Sequence, residues 1–222
     1  MSVHDIVLFG PPGVGKGAQA EILSHRDGLV HLSTGEILRE EIARGTELGR
    51  RVEDAVGRGE FADDETVLEI VLTRIDTPGN ASGFVMDGFP RTVRQAEMFD
   101  RLLADRGRRV ECALFIEAPA QIVLARLAGR LICSECGKTY HKQFRRPRID
   151  GRCDVCKGKI VGRHDDDPEI HRERLREYRR KTAPLESYYR ERGVLVEIDG
   201  AQSIDAVAAD ISNAIDGANL RD

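Results

Sequence analysis

Two groups of residues in this chain have the types and spacing to do chemistry. Gly10-Pro11-Pro12-Gly13-Val14-Gly15-Lys16 follows the apolar run Ile6-Val7-Leu8-Phe9 and leads into Ala18-Gln19-Ala20-Glu21-Ile22-Leu23, a segment that favours helix. Strand, glycine loop and helix are the context a phosphate-binding loop requires. Gly10, Gly13 and Gly15 carry no Cβ, so backbone N–H groups can turn around an oxyanion; the helix start adds positive potential, and Lys16 brings an ammonium to the outer phosphates. Gly17 and Ala18 stand where a Ser or Thr hydroxyl would touch magnesium or phosphate, so magnesium is left to nucleotide oxygens, water and a carboxylate elsewhere. The second group is Cys133, Cys136, Cys153 and Cys156. Each two-residue spacing lets a tight knuckle present two thiolates, which suits tetrahedral zinc, with iron as the alternative. Four thiolates fill the coordination sphere, so the expected metal is structural. The fifth cysteine, Cys112, sits in an apolar run and reads as a small core side chain.

These groups need elements to position them. Apolar runs at 5–9, 29–32, 83–87, 110–116 and 194–198 read as strands, separated by segments long enough for helical crossovers. That alternation predicts an α/β fold with a five-stranded parallel sheet flanked by helices on both faces. Two stretches are too long for simple crossovers. One follows Ser33-Thr34-Gly35-Glu36, which has capping-box spacing, and its short helices are punctuated by Gly45, Gly49, Gly57 and Gly59. The other runs from about 130 to 163 and holds the cysteines. Asp167-Pro168 then reads as N-cap and first helical residue, and Leu175, Tyr178, Thr182 and Leu185 recur near helical spacing. With 222 residues the chain can bury a good core, and its net charge of −4 offers no global basic field for nucleic acid or an anionic membrane. No apolar stretch approaches the ~20 residues of a membrane span, and the N-terminus enters the first strand at once. A cytoplasmic, reducing setting is expected.

The third strand ends in Asp87, followed by Gly88-Phe89-Pro90-Arg91-Thr92, which sets a carboxylate at the edge of a parallel sheet where ligands bind. Asp87 can hold magnesium through water, compensating for Gly17 and Ala18. Arg39, Arg91, Arg126, Arg130, Arg163 and Arg174 fall near expected loops, insertion roots or helix starts. If they converge on the phosphate loop they form a clamp, since guanidinium groups bind phosphoryl oxygens bidentately and stay charged.

With these motifs in hand, the chain resembles the adenylate kinases of the long type with a zinc-containing lid. The likeness is carried by the phosphate loop through Gln19, by Ser33-Thr34-Gly35 with Leu38-Arg39, by Asp87 to Thr92 with Gln95, and by Gly129-Arg130 and Tyr140-His141. Arg163 with Asp165 and Asp166, Arg174, and Thr182-Ala183-Pro184-Leu185 complete it. The resemblance implies a P-loop nucleoside monophosphate kinase fold. Residues 1–33, 63–129 and 164–222 would form the core, 34–62 an AMP-binding insertion, and 130–163 the zinc-binding lid.

It further implies residue roles. Lys16 and Gly10, Gly13, Gly15, Gly17 and Ala18 would hold ATP phosphates, with Arg126, Arg130, Thr139 and Tyr140 on the ATP side. Thr34, Gly35, Arg39, Glu60, Phe61, Ala62, Gly88, Arg91 and Gln95 would surround AMP. Arg163 and Arg174 would reach the transferring group, Asp87 the magnesium shell, and Asp165 and Asp166 the lid arginines. The implied reaction is ATP plus AMP giving two ADP, with structural zinc, magnesium carried with ATP, and a monomer free of nucleic acid and membrane. Ala18 and Glu60 depart from the family pattern. Two other readings are a UMP or CMP kinase, against which Thr92 speaks, and a zinc-ribbon nucleic-acid binder using Arg145-Arg146-Pro147-Arg148. No Asn is followed by Lys, so the guanine-reading motif of a GTPase switch is missing.

Overall fold

The computed structural model describes residues 4–76, 83–162 and 168–219. Strands β1 (His4–Phe9), β2 (Val30–Ser33), β3 (Gly83–Asp87), β4 (Cys112–Glu117) and, numbered last in chain order, β8 (Leu195–Asp199) form one sheet. All its pairings are parallel, in the order β2-β3-β1-β4-β8. Parallel sheets bury both faces, and the side-chain period of two divides these strands between two cores. Val7, Phe9, Phe84, Met86, Ala113 and Phe115 pack on one side with Phe99, Leu103 and Tyr189. Ile6, Leu8, Val85, Leu114 and Ile116 pack on the other with Ala20, Leu23 and Ile211.

The crossovers are α1 (Lys16–Asp27), α5 (Val93–Ala104) and α6 (Ala120–Ala128), and α9 (Ile204–Asn219) closes the chain. Because β1 pairs with both β3 and β4, the chain changes side of the sheet at the carboxyl end of β1. That switch point is where a doubly wound sheet opens a ligand crevice.

Between β2 and β3 lie α2 (Thr34–Ala43), α3 (Glu47–Arg58) and α4 (Asp64–Ile75). The Ser33 hydroxyl accepts from the Glu36 N–H at 3.4 Å, as the capping-box spacing requires. Ile37, Leu38, Val52 and Ile70 give this insertion a small core of its own. Gly45 and Gly59 end helices with φ of 61° and 77°, but Gly49 and Gly57 lie inside α3 rather than at a boundary. A Cβ on Gly49 would fall 2.2 Å from the Glu41 carbonyl oxygen, so its glycine lets α3 cross α2.

The second insertion is a separate antiparallel sheet of β5 (Arg130–Cys133), β6 (Thr139–His141) and β7 (Ile160–Gly162), with β5 central. Helix α7 (Pro168–Glu177) follows and meets α8 (Leu185–Glu191) through a wide turn at Tyr178–Thr182. The expected single amphipathic helix is therefore interrupted. Pro184 has no N–H to give, and the Ala183 N–H reaches back five residues to the Tyr178 carbonyl at 2.9 Å, the bond of a π turn. Thr182 and Leu185 are nonetheless buried, as their spacing predicts. Asp167, the expected N-cap of α7, lies outside the described residues, among which no helix is long and apolar enough to cross a membrane.

Candidate active site

A cleft of about 1050 Å³ opens where the phosphate loop, the helical insertion and the antiparallel sheet face one another. Its wall includes Gly10, Gly13, Gly15, Lys16, Gly17 and Ala18 from the loop, and Thr34, Gly35, Arg39, Glu60, Phe61 and Ala62 from the first insertion. Asp87, Gly88, Arg91 and Gln95 line its floor, and Arg126, Arg130, Thr139, Tyr140 and Arg174 complete it. The structure thus brings together every expected nucleotide-site residue except Arg163, which with Asp165 and Asp166 lies outside the described residues.

The loop is built by close backbone approach. A Cβ on Gly10, whose φ is 144°, would lie 2.0 Å from the Ile116 carbonyl oxygen, so the loop can seat on the end of β4 only with glycine there. Lys16 Nζ donates to the carbonyls of Gly10 and Pro11, each at 2.9 Å. Burial pushes this ammonium down to about 8; Asp87 opposes the shift, while Arg91 and Arg130 add to it. Asp87 stands beside the helix start, its Oδ2 3.3 Å from where a Gly17 Cβ would be and 3.8 Å from His31 Nε2. Burial raises the Asp87 carboxyl, but His31 and Lys16 outweigh it and hold the group below its ordinary value. A half-buried, ionised carboxylate at the mouth of a phosphate loop fits a hydrated magnesium ion. His31 was not singled out in the sequence; its place one strand over from Asp87 becomes visible only with the strand order.

Arg91 lines the cleft beside Phe61 of the first insertion. Its Nε donates to the Gly88 carbonyl at 2.6 Å, and its guanidinium lies 5.0 Å from the Phe61 ring centroid. Burial, followed by the neighbouring charges of Arg174 and Arg39, lowers it to about 10 against the pull of Asp87. Cations gathered in a half-buried cleft wall can hold an anion. Thr34 Oγ1 donates to Gly88 O at 2.8 Å, and the Thr182 hydroxyl donates to the Arg91 carbonyl at 2.9 Å, which ties the π turn to this site.

Arg126 makes a different use of its charge. Its guanidinium donates to the carbonyls of Val14 at 2.8 Å, Gly200 at 2.7 Å and Gln202 at 3.1 Å, fastening the phosphate loop to the turn before α9. His141 Nδ1 accepts from the N–H groups of Gln143 and Phe144 at 3.0 and 3.2 Å, which fixes its proton on Nε2, facing the Arg126 carbonyl at 3.0 Å. Burial lowers its proton affinity, in keeping with that neutral tautomer.

Two basic residues of the antiparallel sheet region reach the core. Lys138 and Arg145 both pair with Glu21 on α1, Arg145 at 2.8 Å. Burial raises the Glu21 carboxyl, but the hydrogen bonds from Arg145 and Lys138 prevail and bring it down to about 2. The basic stretch considered for nucleic acid is therefore divided: Arg145 faces Glu21, and Arg146 Nε turns to the Lys142 carbonyl at 2.6 Å. Neither Glu21 nor Lys138 was identifiable from sequence, because their pairing spans 117 residues.

The sulfurs of Cys133, Cys136, Cys153 and Cys156 all lie within 4.8 Å of one another, with Cys133 and Cys156 3.4 Å apart and Cys136 and Cys153 3.5 Å apart. Four sulfurs about 2.3 Å from a tetrahedral centre would stand about 3.8 Å apart, so the cluster fits a metal ion. Tyr140 supports it, its hydroxyl lying 3.3 Å from Cys153 Sγ and accepting from the Asp154 N–H at 2.7 Å.

Comparison with known proteins agrees with this geometry. The adenylate kinase family model matches residues 8–194. The chain is 45% identical over 210 residues to an adenylate kinase of Moorella thermoacetica, covering 95% of this chain and 97% of that one. It is 43% identical to one from Kosmotoga olearia, covering 93% and 96%, and 41% identical to one from Clostridium tetani, covering 97% and 100%. Motifs, sheet order and near full-length likeness converge, and the chain belongs to the adenylate kinase family.

Proposed function

We infer that the protein transfers a phosphoryl group from ATP to AMP, reversibly, giving two ADP. The observation that carries the reading is one cleft with two anion-ready ends, Lys16 with the phosphate loop and Arg91 with its neighbouring arginines, both half-buried in its wall. Such a cleft holds two polyanions in line. An AMP phosphate oxygen is already anionic and attacks the γ-phosphorus without a general base, while the β–γ bridging oxygen leaves on ADP. Protein groups supply position and charge. Lys16 swings from the Gly10 and Pro11 carbonyls to the β and γ phosphates, and Arg39, Arg91 and Arg174 hold the acceptor phosphate and the transferring group. Arg126, Arg130 and Arg163 serve the donor side, with Thr139 and Tyr140 walling it. Magnesium travels with ATP and supplies charge neutralisation, and Asp87 holds its water shell.

Residues 34–62 and 130–163 act as the two closing parts, which exclude water so that ATP is not simply hydrolysed. The four thiolates hold structural zinc, for which their number and spacing are the support. We place the protein in a reducing cytoplasm as a monomer working on free nucleotides.

The test is ADP formation from magnesium ATP with AMP, CMP, UMP and GMP in parallel and an acceptor-free control. Turnover with AMP alone is expected; turnover with a pyrimidine monophosphate would move the acceptor assignment, and no transfer to any acceptor would overturn the reading. Because the free-enzyme Lys16 ammonium is charged only below about 8, kcat/KM for ATP should fall as pH rises through that value. A flat profile up to pH 9.5 would remove Lys16 from the donor site.

A further inference from the structure

Gln95 is buried, lines the cleft and has both ends of its amide engaged. Its Oε1 accepts from the Arg91 N–H at 2.7 Å, and its Nε2 donates to Asp64 Oδ1 at 2.7 Å. A backbone N–H can only donate, and a carboxylate can only accept. The reverse orientation would set oxygen against the Asp64 carboxylate and an N–H against the Arg91 N–H, a double mismatch in a buried place. Asp64 belongs to the first turn of α4, outside the residues assigned above to the acceptor, and one N–H of the amide has no further partner among the described residues.

We propose that Asp64 is a positioning residue that sets acceptor-base specificity by locking the Gln95 amide in one orientation. This rests on the reading that Gln95 faces the base of AMP. A carboxamide reads adenine by accepting from its exocyclic N6–H and donating to a ring nitrogen. Guanine presents O6 where adenine presents N6–H, so the same carboxamide must rotate by half a turn to suit it, and Asp64 forbids that rotation. The lock rejects 6-oxopurines without touching the substrate.

The experiment measures KM and kcat of the full enzyme for AMP, IMP and GMP in the wild type, Asp64→Ala, Asp64→Asn, Gln95→Ala and the double variant Asp64→Ala/Gln95→Ala, with melting temperatures. Asp64→Ala should raise KM for AMP about tenfold at nearly unchanged kcat and lower the AMP-over-GMP preference by a similar factor, the size of one charge-assisted hydrogen bond. Asp64→Asn keeps an acceptor oxygen and should restore most of the preference. In the Gln95→Ala background, removal of Asp64 should change nothing further. An unchanged preference in Asp64→Ala overturns the proposal. So does an equal loss of kcat for all three acceptors with a lowered melting temperature, which would mark Asp64 as only a helix-start residue. A wild type that uses GMP as readily as AMP overturns the underlying site reading instead, before any variant is compared.

Discussion

The parallel sheet and the antiparallel sheet solve the problem of staying folded in different ways. The first buries both faces, with Phe84, Phe99, Leu103 and Tyr189 fully enclosed on one side and Leu114 and Ile211 on the other. The apolar cluster of the second buries Cys133, Tyr140 and Cys153 among the described residues, with Leu131 and Ile160 packed against them. Three short strands cannot bury enough apolar surface to offset the entropy of ordering them. Two of the three buried side chains are also metal-ligand candidates, so the staple stands in for a core. On the proposed reading the contrast separates rigidity from mobility: the platform is held by packing, and the closing part would be held by one point of coordination.

The largest effect should come from that point. Metal binding to four thiolates is worth on the order of 10 kcal/mol to a small domain. Cys133→Ser should therefore lower the melting temperature and expose residues 130–163 to protease while altering kcat much less at temperatures where the mutant is still folded. Equal losses of stability and turnover would mean that the metal takes part in the reaction. Next in size, Phe84→Ala in the platform should cost about 3–5 kcal/mol of global stability. Chemical unfolding with the metal kept bound would read this; a loss confined to the antiparallel sheet would show that the two regions are not separate. The smallest effect belongs to the contact between them. Glu21→Gln weakens the tie to Lys138 and Arg145 and should cost about 1 kcal/mol or less, more visible in lid opening than in melting. Its folded pKa lies near 2, below the ordinary 4.5, so the carboxylate's contribution is complete above pH 4.5 and lost as pH falls towards 2. A fluorescence distance between α1 and the lid that is unmoved by Glu21→Gln would remove the tie as a closing contact.

Strand positions were largely legible because each is a short apolar run bounded by turn residues, and the carboxyl-edge carboxylate Asp87 followed from the third of them. The expected strand at 110–116 begins at Cys112, since the Glu111 N–H already turns to the Asp5 carbonyl at 3.0 Å as the segment joins the sheet. The break in the last long amphipathic segment was legible in principle from Pro184, but its π form depends on where the Tyr178 carbonyl ends up. The expected site residues were legible as chemical types, and the fold brings those among the described residues to one cleft, Arg163 lying outside them. What sequence could not give were the supports: His31 beside Asp87, Asp64 behind Gln95, Glu21 between Lys138 and Arg145, and three carbonyls around Arg126. Each joins residues distant in the chain, and no local spacing encodes them.

The arginines around Arg91 have a consequence beyond catalysis. Partial burial first, and then the like charges of Arg174 and Arg39, weaken the folded state that holds this group, and Arg91 shows it in a proton affinity lowered to about 10. An anion that enters the cleft removes that penalty, and by mass action it lends its binding energy to the fold. A nucleotide bound there would thus brace the fold as well as react in it, and the melting temperature of this chain should rise with nucleotide concentration.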